Sequence, residues 1–155
     1  MDSKPTLFVV QGAYQTPEFY EEFEKKLLDS GWPVIHPVLP TCSNTDDADF
    51  PERTVSNDVV VLQTQLQTLL NENKTVIALL HSYGGMLGSE AITAEMSISE
   101  RTKNGLPGGV AHLIFFASVT LPEKLSVLGV NGGVCPPNSD NKVGGIQRLG
   151  QCSPD

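Results

Sequence analysis

Runs of consecutive apolar residues alternate along the chain with segments in which apolar residues recur every three or four positions. The runs have the length of strands that are covered on both faces, whereas the spaced segments are typical of amphipathic helices. The strands predicted in this way are residues 6–10, 34–39, 76–80 and 110–118. The predicted helices are residues 16–29, 54–71 and 86–100.

These elements follow one another in the order strand, helix, strand, helix, strand, helix, strand. Such alternation is typical of parallel strands joined by right-handed helical crossovers. We therefore predict an α/β fold, namely a three-layer α/β/α sandwich with a parallel-stranded sheet. The domain is predicted to span residues 5–128.

The apolar positions within the elements also predict which side chains face the core. Phe19, Phe23 and Leu27 recur at helical spacing and are predicted to pack inward. Phe115 is predicted to be buried on the last strand, as is Phe116. In the first helix, the residue predicted to end it in a left-handed conformation is Gly31.

The apolar pattern stops near residue 129, where glycine and proline become frequent. A segment without apolar periodicity cannot bury enough surface to order itself. We therefore expect residues 129–155 to form an irregular tail that is disordered or aberrant.

Charge and composition narrow the classes of function. The chain has 18 acidic and 10 basic residues and no cluster of Lys and Arg, so we expect no nucleic-acid partner. No apolar run could span a bilayer and no leader segment opens the chain, so we expect a cytoplasmic protein without membrane contact. Cys42, Cys135 and Cys152 lack metal-ligand spacing and are expected to be reduced thiols, although a Cys135–Cys152 bridge remains an alternative.

Candidate chemistry is concentrated where the strand at residues 76–80 meets the following helix. Ser82 lies at this junction and is followed by Gly84 and Gly85. A sharp strand-to-helix turn would lift the serine hydroxyl away from the backbone and point the unpaired N–H groups of the helix at a developing negative charge. The two glycines fit such a turn because it leaves no room for side chains. A helix N-cap is the alternative role of Ser82.

The loop after the first strand is a second candidate feature. Gly12 directly follows a buried strand, at a point where the backbone must bend or approach something closely. In a sheet of this kind the functional loops lie at the carboxyl ends of strands, and both Gly12 and Ser82 occupy such ends. An ordinary strand-to-helix turn is the alternative for this loop.

Residues 81–85, with the sequence HSYGG, resemble the nucleophile elbow of the α/β-hydrolase family, whose pattern is G-x-S-x-G. Leu80 stands where the first glycine of that pattern is usual, and Gln11 stands where the family usually has a histidine. The resemblance covers about residues 5–130. It implies that the chain is the N-terminal part of an α/β-hydrolase fold, apparently truncated after about residue 130.

The resemblance implies roles for the matched residues. Ser82 would be the nucleophile of a Ser-His-Asp/Glu triad, and the backbone N–H groups of Ala13 and Tyr83 would form the oxyanion hole. The implied substrate is a small molecule with an ester, thioester, lactone or similar bond, and neither a metal nor a cofactor is implied. The remaining matched positions are His81, Gly84 and Gly85 in the elbow turn, with Gln11 and Gly12 in the oxyanion loop.

The triad of this family follows the order serine, acid, histidine. The last of the three histidines in the chain is His112, so no histidine follows the later acids Glu123, Asp140 and Asp155. A catalytically inactive fragment or pseudoenzyme is therefore the alternative to an active hydrolase. His36 or His112 could replace the missing base only within hydrogen-bonding distance of Ser82, and their strand positions argue against both.

The last predicted strand, residues 110–118, would lie where further strands should pair. An exposed sheet edge invites pairing with other chains. We therefore expect self-association through this edge.

Overall fold

The computed structural model of the protein describes residues 4–122, 140–143 and 146–149. Contacts divide the chain into two units, Met1–Val119 and Thr120–Asp155. The strands of the first unit are β1 (Thr6–Val10), β2 (Val34–Ile35), β3 (Thr75–His81) and β4 (Gly109–Phe116). Its α-helices are α1 (Glu21–Asp29), α2 (Val55–Asn71), α3 (Tyr83–Ala91) and α4 (Ile98–Lys103). Short 3₁₀ turns occupy Pro17–Tyr20, Pro40–Cys42, Phe50–Glu52 and Ala94–Met96.

The four strands form one parallel sheet in the order β2-β1-β3-β4. In the register of β1 and β3, Val10 lies opposite Leu80. The carboxyl ends of these two central strands therefore lie side by side. The loop that follows β1 and the turn that follows β3 consequently meet at the same edge of the sheet, as predicted from the sequence.

The side chains of β1 alternate between two apolar clusters on opposite faces of the sheet, because a strand has a period of two. Phe8 and Val10 pack in the cluster that contains residues of α2 and α3. Leu7 and Val9 pack in the cluster that contains Tyr20 and, from α1, a partly buried leucine. Helices thus cover both faces, which confirms the predicted three-layer α/β/α sandwich with a parallel sheet.

The predicted inward face of the first helix is wrong for Phe19 and Phe23, whereas Leu27 is partly buried against the core as predicted. Phe19 is 73% exposed and Phe23 is 41% exposed, whereas Tyr20 between them is 7% exposed. The reason is that residues 17–20 form a 3₁₀ turn before α1 begins, and a 3₁₀ turn has about three residues per turn rather than 3.6. This change of geometry alters which residues share a face. Gly31, by contrast, has the predicted left-handed conformation, with φ 78°.

The helix predicted over residues 86–100 is three shorter elements. The first, α3, begins at Tyr83 and ends at Ala91, because Ile92 is already extended. A 3₁₀ turn and the short helix α4 follow, and the side chain of Ser97 caps α4 by accepting the N–H of Glu100. The strand predicted over residues 34–39 is likewise shorter, since only Val34 and Ile35 pair with β1.

Phe115 is not buried as predicted, since it is 42% exposed. Its neighbours Leu113 and Ile114 are 39% and 47% exposed. In the part of the chain that the structure describes, β4 pairs only with β3 and is an edge strand. An edge position explains why a continuous apolar run, which predicted burial on both faces, remains partly open to solvent.

The second unit contains an antiparallel hairpin in which Asp140–Val143 pairs with Ile146–Leu149. The sequence between these strands is Gly-Gly, a recognised hairpin signal. The rest of the expected irregular tail lies outside the described residues, as do Cys135 and Cys152; Cys42 is a free thiol. None of the helices in the described ranges has the length and apolar character needed to cross a membrane.

Candidate active site

Ser82 alone makes the turn between β3 and α3. Its backbone has φ 50° and ψ −116°, a conformation that costs a non-glycine residue about 1–3 kcal/mol. Although Ser82 stands at the N-cap position of α3, its side chain makes no capping hydrogen bond. Ser82 therefore occupies the N-cap position without capping the helix through its side chain, and this one residue joins the strand to the helix.

The carbonyl of Ser82 is held by three donors. It accepts the N–H of Gly85 at 3.1 Å and the N–H of Val119 at 2.9 Å. It also accepts the hydroxyl of Ser118 at 3.2 Å. These contacts tie the strained residue to the segment that follows β4, so the surrounding structure maintains the unusual backbone conformation.

The two glycines after the serine are required by close backbone approaches. A Cβ atom on Gly84 would lie 2.4 Å from the carbonyl oxygen of Val10 at the end of β1. A Cβ atom on Gly85 would lie 2.7 Å from the carbonyl oxygen of Val119 and would also overlap the hydroxyl of Ser118. Neither position can hold a side chain unless its neighbours shift, as the sequence predicted.

The loop of residues 11–15, which we call the Gly12 loop, lies directly against the elbow. A Cβ atom on Gly12 would be 3.3 Å from the Cβ of Ser82 and 3.2 Å from Nδ1 of His81. The N–H of Gly12 itself donates to the Tyr20 hydroxyl at 3.0 Å. The N–H groups of Ala13 and Tyr83 donate to no other residue that the structure describes.

Hydrogen bonds between buried polar side chains stabilise the Gly12 loop. Gln11 has no exposed surface, and its Nε2 donates to the carbonyl of Gln15 at 2.8 Å. Its Oε1 lies 2.7 Å from Nε2 of His36, whose Nδ1 contacts the carboxylate of Glu24. Burial holds the pKa of His36 below its ordinary value, and Glu24 acts in the opposite direction.

A second polar group anchors the residue after the serine. Oδ2 of Asp58 accepts the Tyr83 hydroxyl at 2.9 Å and the Thr41 hydroxyl at 2.5 Å, while Oδ1 accepts the Thr41 N–H at 3.0 Å. Burial raises the pKa of the Tyr83 hydroxyl far above its ordinary value, and the charge of Asp58 adds to this effect. The helices α2 and α3 are thereby linked at the elbow.

The structure thus brings the predicted elbow and the predicted oxyanion loop together, but it brings no histidine to the serine hydroxyl. His36 is engaged with Glu24 and Gln11, and His112 is exposed on β4. Nδ1 of His81 lies 2.6 Å from the Tyr20 hydroxyl. Within residues 4–122, no imidazole forms a hydrogen bond with Ser82.

Two residues of this region were not singled out by the sequence pattern. Asp58 is an acidic residue four positions before Leu62 on the apolar face of α2, which is a signal that could have revealed a buried carboxylate. Tyr20 lies seven residues before Leu27 and therefore on the same helical face. The apolar pattern was read from Phe19 onward, so Tyr20 was not assigned to the core.

No family model matches the chain. It is 25% identical over 126 residues, or 81% of its length, to the alpha/beta hydrolase nvfD of Aspergillus novofumigatus (strain IBT 16806), of which it covers 48%. It is 27% identical over 90 residues, or 58% of its length, to the probable hydrolase R7 of Phoma sp. (strain ATCC 20986 / MF5453), of which it covers 36%. The chain therefore spans about half or less of the length of these curated relatives. The parallel sheet with its flanking helices forms an α/β sandwich, and the two relatives are named an alpha/beta hydrolase and a probable hydrolase.

Proposed function

We propose that the chain is a serine hydrolase of the α/β-hydrolase type. It acts on an ester, thioester, lactone or similar bond of a small molecule, with Ser82 as the nucleophile. The observation that carries the proposal is the strained turn at Ser82, which lies between a strand and a helix with the Gly12 loop against it. The names of both relatives, of which the chain covers about half or less, support a hydrolase function.

In this mechanism the hydroxyl oxygen of Ser82 attacks the carbonyl carbon of the substrate while a base takes the hydroxyl proton. The bond to the alcohol or thiol then breaks, and this leaving group receives the proton. Water hydrolyses the resulting acyl intermediate, which releases the carboxylic acid and restores Ser82. The N–H groups of Ala13 and Tyr83 stabilise the negative charge that develops on the carbonyl oxygen. The loss of one such donor costs about 10²–10³ in rate in other serine hydrolases. The N-terminus of α3 adds a favourable partial positive charge.

A catalytically inactive fragment or pseudoenzyme is the second candidate, and one observation favours it. A serine hydroxyl is a weak nucleophile until a base accepts its proton. Among the described residues, the three imidazoles are engaged elsewhere or lie on β4. The hydrolase proposal therefore requires that a group other than these three imidazoles, in their described positions, accepts the proton of Ser82.

Labelling with a fluorophosphonate probe distinguishes the two candidates, since the probe reacts covalently with an activated serine. We expect the wild-type chain to be labelled and the Ser82→Ala variant to remain unlabelled. Ser89→Ala is the matched control, because Ser89 lies in α3, is exposed, and among the described residues bonds only to the carbonyl of Gly85. The folded state of each variant is checked by circular dichroism during thermal unfolding.

Folded wild-type protein that labels no faster than Ser82→Ala would support the inactive fragment. Equal loss of labelling in Ser89→Ala would point to damage to α3 rather than to removal of a nucleophile. Hydrolysis of short-chain aryl esters, assayed with the same three proteins, then reports turnover in addition to covalent attack.

A further inference from the structure

The Tyr20 hydroxyl joins the Gly12 loop to the end of β3. It accepts the N–H of Gly12 at 3.0 Å, and it lies 2.5 Å from Oε1 of Gln15. It also lies 2.6 Å from Nδ1 of His81, the residue before Ser82. Tyr20 is 7% exposed, so solvent does not replace these partners.

The hydrogen atoms of this group can be assigned from its chemistry. A tyrosine hydroxyl donates one hydrogen and accepts at its oxygen, whereas a backbone N–H only donates and an amide oxygen only accepts. The hydroxyl hydrogen therefore belongs to the contact with Gln15, because the amide oxygen of Gln15 has no hydrogen to donate. His81 must then donate from Nδ1, which in a neutral imidazole leaves Nε2 without a proton.

The side chain of Gln11, which has no exposed surface, connects the first and last residues of the Gly12 loop. Its Nε2 donates to the carbonyl of Gln15, so the side chain and the backbone of Gln15 are both fixed. The N–H of Gly12 points to Tyr20, and the next N–H along the chain, that of Ala13, has no described acceptor. The tyrosine thereby engages the amide of Gly12, whereas the amides of Ala13, Tyr14 and Gln15 have no acceptor among the described residues.

We infer that Tyr20 is a positioning residue: its hydroxyl holds the Gly12 loop against the end of β3 and keeps His81 in the Nδ1–H tautomer. The catalytic consequence rests on the proposed function, because the loop matters for rate only if Ser82 is the nucleophile. Tyr20 itself does not touch the reacting atoms.

The tautomer of His81 tests this inference without reference to any activity. In ¹⁵N NMR spectra of the full chain at mildly alkaline pH, we expect a protonated Nδ1 and an unprotonated Nε2, with the signals assigned by their loss in His81→Gln. In Gln15→Met the hydroxyl loses its acceptor and can donate to His81, so we expect the proton of the imidazole to move to Nε2. Tyr20→Phe removes the partner of Nδ1, and we expect the two tautomers to mix.

The rate of fluorophosphonate labelling tests the catalytic consequence. We expect Tyr20→Phe to be labelled about ten- to a hundredfold more slowly than wild type, because a small displacement of a positioned group has costs of this size. Thr64→Val is the control, since it removes from an exposed residue of α2 a hydroxyl that, among the described residues, bonds only to the carbonyl of Val60. We expect Thr64→Val to be labelled at the wild-type rate.

A wild-type His81 protonated at Nε2 would overturn the inference. So would a folded Tyr20→Phe variant that keeps both the Nδ1–H tautomer and the wild-type labelling rate. Failure of the wild-type chain to be labelled counts against the proposed function instead, and the His81 spectra of wild type, Gln15→Met and Tyr20→Phe then decide the inference alone.

Discussion

Asp58 is a carboxylate with no exposed surface on the face of α2 that packs toward the sheet. An ionised group in such a place is tolerated only where donors compensate for the lost water. Its donors are the N–H and hydroxyl of Thr41 and the hydroxyl of Tyr83. Because Tyr83 directly follows Ser82, this carboxylate also anchors the residue whose N–H is proposed to stabilise the oxyanion.

Replacement of Asp58 by alanine is expected to lower the free energy of unfolding by about 3 kcal/mol or more. The physical reason is that a buried donor without a partner costs about 1–3 kcal/mol, and several donors lose their acceptor here. Asp46→Ala, in an exposed loop, is the control and should change the free energy of unfolding by less than about 0.5 kcal/mol. Urea denaturation of the two variants and wild type measures both values.

The hydrogen bond between Asp58 and Tyr83 can be tested by combining substitutions of the two residues. In the wild-type background, Tyr83→Phe should cost about 1 kcal/mol, the net value of one hydrogen bond. In the Asp58→Ala background the tyrosine hydroxyl has already lost this partner, so the same substitution should cost less or be neutral. Additive effects of the two substitutions would contradict a direct interaction.

The strand before Ser82 and the helix after it pack closely because a large residue of β3 lies against a glycine of α3. Leu80, at the position where the family pattern has its first glycine, is completely buried. The room for this leucine comes from Gly88 in α3, since a Cβ atom on Gly88 would lie 2.5 Å from Cδ2 of Leu80. The departure from the family pattern is thus accommodated one helical turn beyond the elbow.

Gly88→Ala should therefore destabilise the protein by about 1–3 kcal/mol through overpacking. This sign is opposite to that expected from helix propensity, by which alanine is better than glycine by about 1 kcal/mol. In a Leu80→Ala background the clash is absent, and Gly88→Ala should become neutral or stabilising. Thermal or urea unfolding of the four proteins measures the change of sign, and equal destabilisation in both backgrounds would contradict the packing argument.

How far the sequence predicts these elements depends on the kind of signal. The apolar runs of β1 and β3 and the glycines after Ser82 predict the sheet and the elbow, because they report burial and close backbone approach directly. The end of α3 at Ala91 carries no such signal, since residues 92–100 continue to include apolar positions at helical spacing. Tertiary packing decides where that helix ends.

The candidate site divides in the same way. Ser82 and Gly12 could be predicted because a turn of this type restricts which residues can occupy it. Tyr20 and Asp58 act through hydrogen bonds to residues distant in sequence, such as the contact between Tyr20 and His81. Contacts between residues more than 20 positions apart leave no periodic trace in a single sequence.

At the scale of the whole molecule, the edge strand β4 is the most exposed apolar feature of the sheet. Leu113, Ile114 and Phe115 are each between 39% and 47% exposed. In the described part of the chain, β4 pairs with β3 alone, so one row of its backbone groups faces away from the sheet. An edge with apolar side chains and open hydrogen-bonding groups is a template for pairing with another chain.

We expect the chain to self-associate through this edge, with a sedimentation coefficient that rises with protein concentration. Ile114→Lys should weaken association by about tenfold or more, because burial of an unpaired charge costs more than the 1.4 kcal/mol that corresponds to a factor of ten. Val60→Lys is the control, since Val60 is 59% exposed and lies on α2 rather than on the edge strand. Sedimentation velocity over a range of concentrations distinguishes the variants.

A wild-type chain that stays monomeric at all concentrations and unfolds cooperatively would contradict the expectation. Equal effects of the two lysine substitutions on association would also contradict it, because the added charge alone would then account for the change.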